Sequence, residues 1–398
     1  MNILKNIQRN KTPSILLIII ASILLVFIGL YINNLMKLKQ SLNHLSATTI
    51  VSGQMSDVSG KLNENIEIPA SYVEYLVTSK YVDNEIYSAK LFGSNHNQKE
   101  SIQLEEVDTT IIGINHSNYI KPKKDDFTFL SGKNWKFLNK KNTECIVSER
   151  YAKLNHISLG DSISLPVYQE NNIDNNLKTI TLLDECKFEV IGIINDTENN
   201  NFDILVSVHW MEEYVISFSK EFYYNSMNFT VKKPLSINLF KEELKKHSFH
   251  EVSYAAKSDY RGTSITIFDQ IFIEKASLIE KNLDIYKIFG IPFLLLVILL
   301  NSLITFLVVR KRRIDIAIQS LLGRSKFGIK LQLFKEIMLL YSIGFFIAFL
   351  FLSLYTQISF VHLILIILLF TSINALVLIL VLLFVFRFDI MHLLSKSE

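Results

Sequence analysis

The sequence lacks the short motifs with which many enzymes hold phosphate, metal ions or a catalytic nucleophile. It contains no G-x-x-x-x-G-K-[ST] phosphate loop, no H-E-x-x-H, no paired C-x-x-C and no G-x-S-x-G. His247 and His250 lie three residues apart on a predicted helix, but two histidines without a third ligand are more often surface residues. We therefore predict no catalytic, cofactor-binding or metal-binding residue, and no ATP bound by this chain through a phosphate loop.

Cysteine is scarce, and the two that occur are Cys145 and Cys186. A disulfide between them is chemically permitted in an oxidising compartment. Two small buried side chains in neighbouring strands are an equally good interpretation, and the sequence leaves both open.

Charged residues are missing from four long stretches, which contain no Asp, Glu, Lys or Arg. A helix rises 1.5 Å per residue, so about 20 residues cross a hydrocarbon core of about 30 Å. We therefore predict four transmembrane helices, the last of which has to tilt, to protrude or to begin inside the turn from Tyr355 to Phe360. The first is longer than the apolar part of a signal peptide and has no small-x-small cleavage site, so we expect a retained anchor. The predicted spans are 14–32, 288–309, 337–355 and 358–386.

Charge is distributed unevenly around these spans. The tails 1–13 and 387–398 and the segment 310–336 together carry thirteen Lys and Arg against four Asp and Glu. The segment from Asn33 to Lys287 carries 28 Lys and Arg against 34 Asp and Glu. Positive segments stay in the cytoplasm, so both termini are predicted inside and the large segment outside a cell membrane. The basic residues thus have a topological role, and nucleic-acid binding is not expected.

Apolar residues continue at helical spacing beyond the first span and before the second one. This spacing predicts two antiparallel stalk helices, 33–60 and 263–287, continuous with the spans. The alternative is that both segments simply pack on the external domain. The apolar positions are Leu35, Leu38, Leu42 and Leu45 in the first segment, and Ile265, Phe268, Phe272, Ala276, Ile279, Leu283 and Tyr286 in the second, which follows Gly262.

Between the stalk segments, residues 61–262 have the pattern of a mixed α/β domain. Pro69 and Pro234 each precede a predicted helix, and Gly160 with Asp161 predicts a turn. The asparagine-rich stretches 170–176 and 195–201 are predicted to be solvated loops. The predicted strands include 81–92, 107–115, 144–148, 187–196 and 202–208.

A few polar residues interrupt the spans, and such residues usually bond a neighbouring helix. We interpret Asn301 and Asn374 as contacts between helices, with a functional role as the alternative. The absence of charge within the spans disfavours a conventional ion-coupled transporter. The polar residues are Asn301, Thr305, His362, Thr371, Ser372 and Asn374.

The segment 310–336, here called the elbow, joins the second and third predicted spans. Four cations, Arg310 to Arg313, open it, and a short amphipathic helix that ends at Gly323 follows. The apolar residues of this helix, spaced 4, 3 and 1, fall on one face. Such a face fits a groove in a partner protein, or it lies on the bilayer. These residues are Ile314, Ile318, Leu321 and Leu322.

The elbow resembles that of the four-span permease subunits of MacB/FtsX-type ABC transporters. Asp315-Ile316-Ala317 occupies the position of their Glu-Ile-Gly, and Leu321-Leu322-Gly323 that of their Ala-Leu-Gly. Glu336 corresponds to the Glu before their third span. Ser320 departs from the pattern, because a basic residue is common there. The stretch 145–165, with FEVIGIIND and DILVS after it, is similar to the periplasmic core domain of the same family.

The resemblance implies a membrane α-helical protein of four spans, with an extracytoplasmic mixed α/β domain on a helical stalk. It implies a homodimer or heterodimer of permeases in membrane lipid, bound to ABC ATPase subunits that carry ATP and Mg²⁺ on separate chains. The expected function is export or extraction of a peptide, antibiotic or lipid-linked substrate by mechanical movement of the external domain. The alternatives are an FtsX-like scaffold that controls an extracellular enzyme such as a cell-wall hydrolase, and a membrane anchor without energy coupling.

The residues expected to couple the chain to the ATPase follow from the same resemblance. They are Arg310, Arg312, Arg313, Ile314, Asp315, Ile318, Leu321, Leu322, Gly323 and Glu336.

Overall fold

The computed structural model of the protein describes residues 11–94, 100–103, 106–120, 127–174, 177–195, 202–253, 255–257, 263–356 and 358–386. Within them the α-helices are α1 (Lys11–Thr48), α2 (Ala70–Thr78), α3 (Glu149–Leu154), α4 (Val208–Ser217), α5 (Ile237–Lys246), α6 (Gln270–Lys311), α7 (Arg313–Leu321), α8 (Lys326–Tyr355) and α9 (Phe360–Val385). The strands are β1 (Ser52–Ser56), β2 (Ile68–Pro69), β3 (Val82–Gly93), β4 (Ser101–Ile102), β5 (Thr109–Ile114), β6 (Phe127–Phe129), β7 (Glu144–Ser148), β8 (Ser162–Asp174), β9 (Leu177–Ile194), β10 (Ile204–Ser207), β11 (Tyr223–Tyr224), β12 (Ser226–Val231), β13 (His250–Glu251) and β14 (Ser264–Phe268). Among the described residues, short 3₁₀ helices occupy Ser117–Tyr119, Trp135–Asn139 and Pro234–Ser236.

The chain divides into two compact units. The membrane unit comprises Met1–Leu45 with Glu274–Glu398, and the second unit comprises Ser46–Ile273. In the described residues, four helices are long and apolar enough to cross a membrane, namely α1, α6, α8 and α9. The second unit holds a mixed α/β domain with a large sheet. The predicted fold class is confirmed.

The membrane unit has a core of aliphatic and aromatic side chains from all four long helices, among them Leu25, Val297, Leu340 and Leu378. Helices α1 and α8 approach each other closely at Gly344. A Cβ atom at this position would lie 2.9 Å from the carbonyl oxygen of Ile18. The Ser22 hydroxyl donates a hydrogen bond of 2.8 Å to the Gly344 carbonyl. Small residues let membrane helices approach closely, so α1 and α8 form one packed pair.

The second unit is built on a mixed sheet. In the described residues its strand order is β13-β14-β1-β12-β3-β5-β10-β7-β9-β4, with β6 on β9 and β8 pairing both β3 and β9. The pairs β10–β5, β7–β9 and β13–β14 are parallel, and the remaining pairs are antiparallel. Every residue of β7 and β10 is buried, as expected for central strands covered on both faces.

Several local predictions for this domain are confirmed. A helix follows each of the two prolines, and Pro69 is the N-cap residue of α2. Gly160 has a φ of +90° in the turn before β8, a conformation that glycine adopts without a steric penalty. The predicted strands correspond to β3, β5, β7, β10 and the second half of β9.

The predicted stalk helix 33–60 is too long. The helix ends at Thr48, and Ser52–Ser56 forms β1 instead. This strand lies between two distant partners, with Gly53 opposite Phe229 on one side and Ile267 on the other. Hydrogen bonding to both neighbours stabilises the extended chain, and local helical spacing contains no information about those partners.

The predicted stalk helix 263–287 also begins too early. Ser264–Phe268 forms β14, and the helix starts at Gln270. Ile265 and Phe268 therefore lie in a strand, and Phe268 is exposed; its assignment to the stalk is wrong. Because β1 and β14 belong to the sheet, the domain is larger than the predicted 61–262. Gly262 lies outside the described residues.

Two smaller predictions need correction. The stretch 170–176 is not a loop up to Asp174, because β8 and β9 continue as a hairpin in which Asn171 pairs with Thr179. His247 and His250 do not share a helix, because α5 ends at Lys246 and His250 lies in β13. The other asparagine-rich stretch, 195–201, lies outside the described residues apart from Asn195.

Cys145 and Cys186 are both buried free thiols, on the neighbouring strands β7 and β9. This arrangement matches the second of the two interpretations left open above. Burial raises the pKa of Cys186 to about 12, and burial also raises the pKa of Cys145. Since the thiolate is the reactive form, both thiols should be inert at neutral pH.

We predict that iodoacetamide at pH 8 leaves both cysteines unmodified in the folded protein. Both should be alkylated after denaturation without reductant, as measured by intact mass. An Ile50→Cys variant is the control, because Ile50 is 80% exposed and its replacement should react at once. Fast alkylation of the folded wild type, or a requirement for reductant after denaturation, would contradict this prediction.

Candidate functional site at the elbow between two membrane helices

The elbow has less irregular structure than its length suggests. Helix α6 continues to Lys311, α7 occupies Arg313–Leu321, and α8 begins at Lys326. The predicted elbow segment 310–336 is therefore corrected, because its last eleven residues are the first turns of α8. What remains is a nine-residue helix held between two long ones.

Helix α7 buries one face and presents another. Ile316 and Ala317 are 4% and 3% exposed, and Ile316 belongs to the apolar core of the membrane unit. The predicted stripe points away from that core, since Ile314, Ile318 and Leu321 are 59%, 50% and 69% exposed. Leu322, at the C-cap, is exposed as well. An exposed row of three large aliphatic side chains on a short helix is typical of a docking surface.

The two ends of α7 are stabilised in different ways, by charge at the first turn and by hydrogen bonds at the last. Asp315 lies in the first turn, where a carboxylate interacts favourably with the helix dipole. Gly323 has a φ of +79°, its N–H bonds the Ser320 carbonyl, and the Arg324 N–H bonds the Gln319 carbonyl. These two bonds form a Schellman motif, which explains why a glycine ends the helix. Direct contact of Asp315 or Gly323 with an ATPase stays a prediction.

The start of α8 is capped two residues later. The Ser325 hydroxyl accepts a hydrogen bond of 3.1 Å from the Gly328 N–H. Arg324 donates to the side chain of Gln319 at 3.0 Å, which ties the turn back to α7. The connection between α7 and α8 is therefore a short, well-bonded turn.

The four cations of the elbow do not share one environment. Arg310, Lys311 and Arg313 are exposed, whereas Arg312 is 3% exposed. Its Nη1 donates to Glu336 Oε2 at 2.6 Å, and Glu336 is 1% exposed. Arg312 and Glu336 were predicted to couple the chain to the ATPase. Both side chains are buried against each other within this chain, and their coupling role stays a prediction.

The remaining stalk residues lie on the less exposed faces of their helices. Leu35, Leu38, Leu42 and Leu45 are half-buried on α1, and on α6 Phe272 is buried while Ile279 and Leu283 are half-buried. The aromatic contact between these two helices was not predicted from the sequence. The rings of Tyr31 and Phe293 stack at a centroid distance of 5.1 Å, and the Tyr31 hydroxyl donates to the Tyr286 carbonyl. The signal was present, because tyrosines are enriched where a span meets the membrane interface.

A polar network crosses the middle of the membrane unit. The side-chain amide of Asn301 on α6 donates to the side-chain carbonyl of Asn374 on α9. The Tyr341 hydroxyl on α8 lies 3.2 Å from Asn301 Oδ1 and 2.5 Å from the Thr305 hydroxyl. The interpretation of the two asparagines as contacts between helices is confirmed. Tyr341 was missed because an aromatic residue in an apolar run gives no sign that its hydroxyl has partners.

The other polar residues predicted in the last span bond their own helix or are exposed. Thr371 and Ser372 donate to backbone carbonyls three or four residues earlier, and His362 is exposed. In the described residues, no group of three or more His, Cys, Asp or Glu is placed to hold a metal ion.

This arrangement defines a class of membrane protein in which a short helix between two spans is available to a partner, and an extracytoplasmic domain is inserted between the first two spans. Comparison with known proteins assigns the family. The model of the MacB-like periplasmic core domain matches residues 14–247, which is more than half of the chain. The chain belongs to this family and is a MacB-like ABC transporter permease.

Two solved structures are similar in part. The periplasmic region of MacB from Actinobacillus actinomycetemcomitans is 12% identical, with a TM-score of 0.31, and the match covers 56% of this chain and 91% of that one. A domain of a protein assigned as a permease from Porphyromonas gingivalis is 14% identical, with a TM-score of 0.27, over 55% of this chain and 86% of that one. Comparison with curated proteins found no match.

We predict that Asn374→Leu destabilises the membrane unit by about 1 kcal/mol, because hydrogen bonds between membrane helices contribute about 0.6–2 kcal/mol. Thermal unfolding of the purified protein in detergent measures the effect. Ser372→Leu is the matched control, since Ser372 lies on the same helix, is exposed and bonds only its own backbone. Equal stability of the two variants would show that the network contributes nothing.

Proposed function

We propose that the protein is the permease subunit of an ABC transporter that converts ATP hydrolysis on a separate ATPase chain into movement of its extracytoplasmic domain. The observation that carries the proposal is the exposed stripe of Ile314, Ile318 and Leu321 on α7. These side chains belong to a helix between two spans, outside the apolar runs, where burial of large aliphatic groups requires a partner. The ATPase supplies a groove for this stripe.

Charge supports the placement of α7 on the cytoplasmic side. Arg310, Lys311 and Arg313 are exposed around its first turn, and the acidic excess of the chain lies between Asn33 and Lys287. Under the positive-inside rule, the elbow and both tails are cytoplasmic. The exposed cations then face lipid headgroups or acidic groups on the ATPase.

ATP and Mg²⁺ are bound by the partner, because the sequence has no phosphate loop of its own. Closure of two ATPase subunits around ATP moves the α7 helices of a permease dimer, which is formed with a second copy or with a related chain. The movement of α7 is therefore driven by the ATPase subunits and not by this chain.

The long helices support a mechanical output. Helix α1 has 38 residues and α6 has 42, which correspond to about 57 and 63 Å at 1.5 Å per residue. A hydrocarbon core is about 30 Å thick, so both helices continue well beyond it. Movement of their membrane segments reaches the extracytoplasmic domain, which extracts or exports a peptide, antibiotic or lipid-linked substrate.

Docking of α7 is tested by the variants Ile318→Asp and Leu321→Asp, each of which places a charge in the apolar stripe. We expect association with the ATPase that co-purifies from the native membrane to fall at least about tenfold, or about 1.4 kcal/mol. Binding is measured with both purified proteins in nanodiscs. Gln319→Asp adds the same charge to a half-buried position off the stripe and should bind as the wild type does.

Wild-type affinity of both stripe variants would contradict docking. If the same variants instead weakened the contact of α7 with the bilayer surface, the stripe would bind lipid and not a partner protein. The absence of any co-purifying ATPase would contradict the proposed function itself.

Topology is tested with single cysteines at exposed positions, Ile50→Cys in the second unit and Phe327→Cys in the elbow, which are 80% and 74% exposed in the wild type. A membrane-impermeant maleimide should label the first in intact cells and the second only after permeabilisation. The wild type is the background control, because its native thiols are buried. Labelling of the elbow in intact cells would reverse the proposed orientation.

A further inference from the structure

One cation of the elbow is turned into the protein while its neighbours face outward. Arg312 is the residue between α6 and α7, and its side chain is 2% exposed. Its partner Glu336 lies in the third turn of α8 with an equally buried side chain. The charges meet at 2.6 Å, a distance typical of a strong charge-assisted hydrogen bond.

The pair is bonded to further side chains on two helices. Arg312 Nη2 lies 3.4 Å from the Ser14 hydroxyl oxygen on α1, which accepts its hydrogen. Gln332 Nε2, one turn before Glu336 on α8, donates to Glu336 Oε1 at 2.8 Å. Residues of α1, α8 and the α6–α7 junction thus meet around one pair of charges.

The position of the pair matters because α7 has few covalent constraints. Arg312 alone separates α7 from α6, and a four-residue turn with Gly323 at positive φ separates it from α8. Packing of Ile316 and Ala317 is non-directional, so by itself it allows the helix to slide or rotate. A buried ion pair is directional, and separating it leaves uncompensated charges in a medium of low dielectric.

We propose that Arg312 and Glu336 form a positioning pair that locks the start of α7 to α1 and α8. Movement imposed on α7 is transferred through this pair, so that the three helices shift together. This rests on the proposed function for the source of the movement, whereas the lock itself is a property of the permease alone. Arg310, Lys311 and Arg313 take no part in it.

The lock is tested first on the full-length permease in nanodiscs, without ATPase, by amide hydrogen exchange. Glu336→Gln removes one charge and keeps the shape of the side chain. We expect exchange of the α7 amides to accelerate at least about tenfold, with exchange in α9 unchanged. Arg313→Gln is the control, since it removes an adjacent exposed cation, and exchange in α7 should stay as in the wild type.

The swapped variant Arg312→Glu/Glu336→Arg distinguishes an effect of the ion pair from effects of the two individual side chains. Ser14 can donate a hydrogen bond as well as accept one, and the Gln332 amide can rotate to present its oxygen. The swap should therefore restore slow exchange in α7. Glu336→Gln could accelerate exchange throughout the membrane unit, and the swapped variant is then decisive. Slow exchange in the swapped variant supports the ion pair, whereas exchange as fast as in Glu336→Gln overturns it.

Transfer of movement is tested on the complex with the co-purified ATPase, with and without ATP. In the wild type and the swapped variant, ATP should change amide exchange in α7, α1 and α8. In Glu336→Gln the ATPase should stay bound and the change should be confined to α7. A wild-type pattern in Glu336→Gln, or unchanged α7 exchange in the first experiment, would overturn the proposal. Failure of any ATPase to bind the wild type would instead overturn the proposed function. The positioning pair would then be tested by the exchange experiment on the permease without ATPase.

Discussion

The ion pair between Arg312 and Glu336 determines the form of the elbow. A guanidinium turned into the apolar core of a helix bundle needs a carboxylate beside it, because an isolated buried charge is very costly. Satisfying that requirement fixes where α6 ends and which turns of α8 lie opposite. With the start of α7 held there and Ile316 packed inward, its apolar stripe has to face out. The outward position of the stripe is thus linked to a contact buried within this chain.

At the centre of the membrane unit, uncharged polar groups also form specific contacts between helices. Lipid tails are as apolar as leucine, so hydrophobic side chains alone drive helices together weakly within a bilayer. The hydrogen bonds among Asn301, Asn374, Thr305 and Tyr341 connect α6, α8 and α9, while Ser22 and Gly344 connect α1 to α8. Each of the four long helices therefore has at least one specific polar contact with another.

The parts of the fold that local chemistry decides could be predicted from the sequence. A run of about 20 apolar residues without charge predicts a span, and Gly323 ends a helix because it accepts a positive φ. The strands β1 and β14 could not be predicted, because their conformation depends on each other and on Phe229, more than 170 residues from Gly53. The candidate site divides in the same way. Periodicity predicted the stripe on α7, but four adjacent cations look alike in a sequence, and only the packed bundle distinguishes Arg312 from its neighbours.

The distribution of polar groups bears on how such a bundle works. A transport path through the spans needs polar side chains that face an aqueous cavity. The amide and hydroxyl groups at the centre of this unit bond one another instead, and the predicted spans contain no charged residue. Both α1 and α6, in contrast, continue as unbroken helices past the thickness of a bilayer. Under the proposed function, these two helices are the route along which displacement passes out of the bilayer.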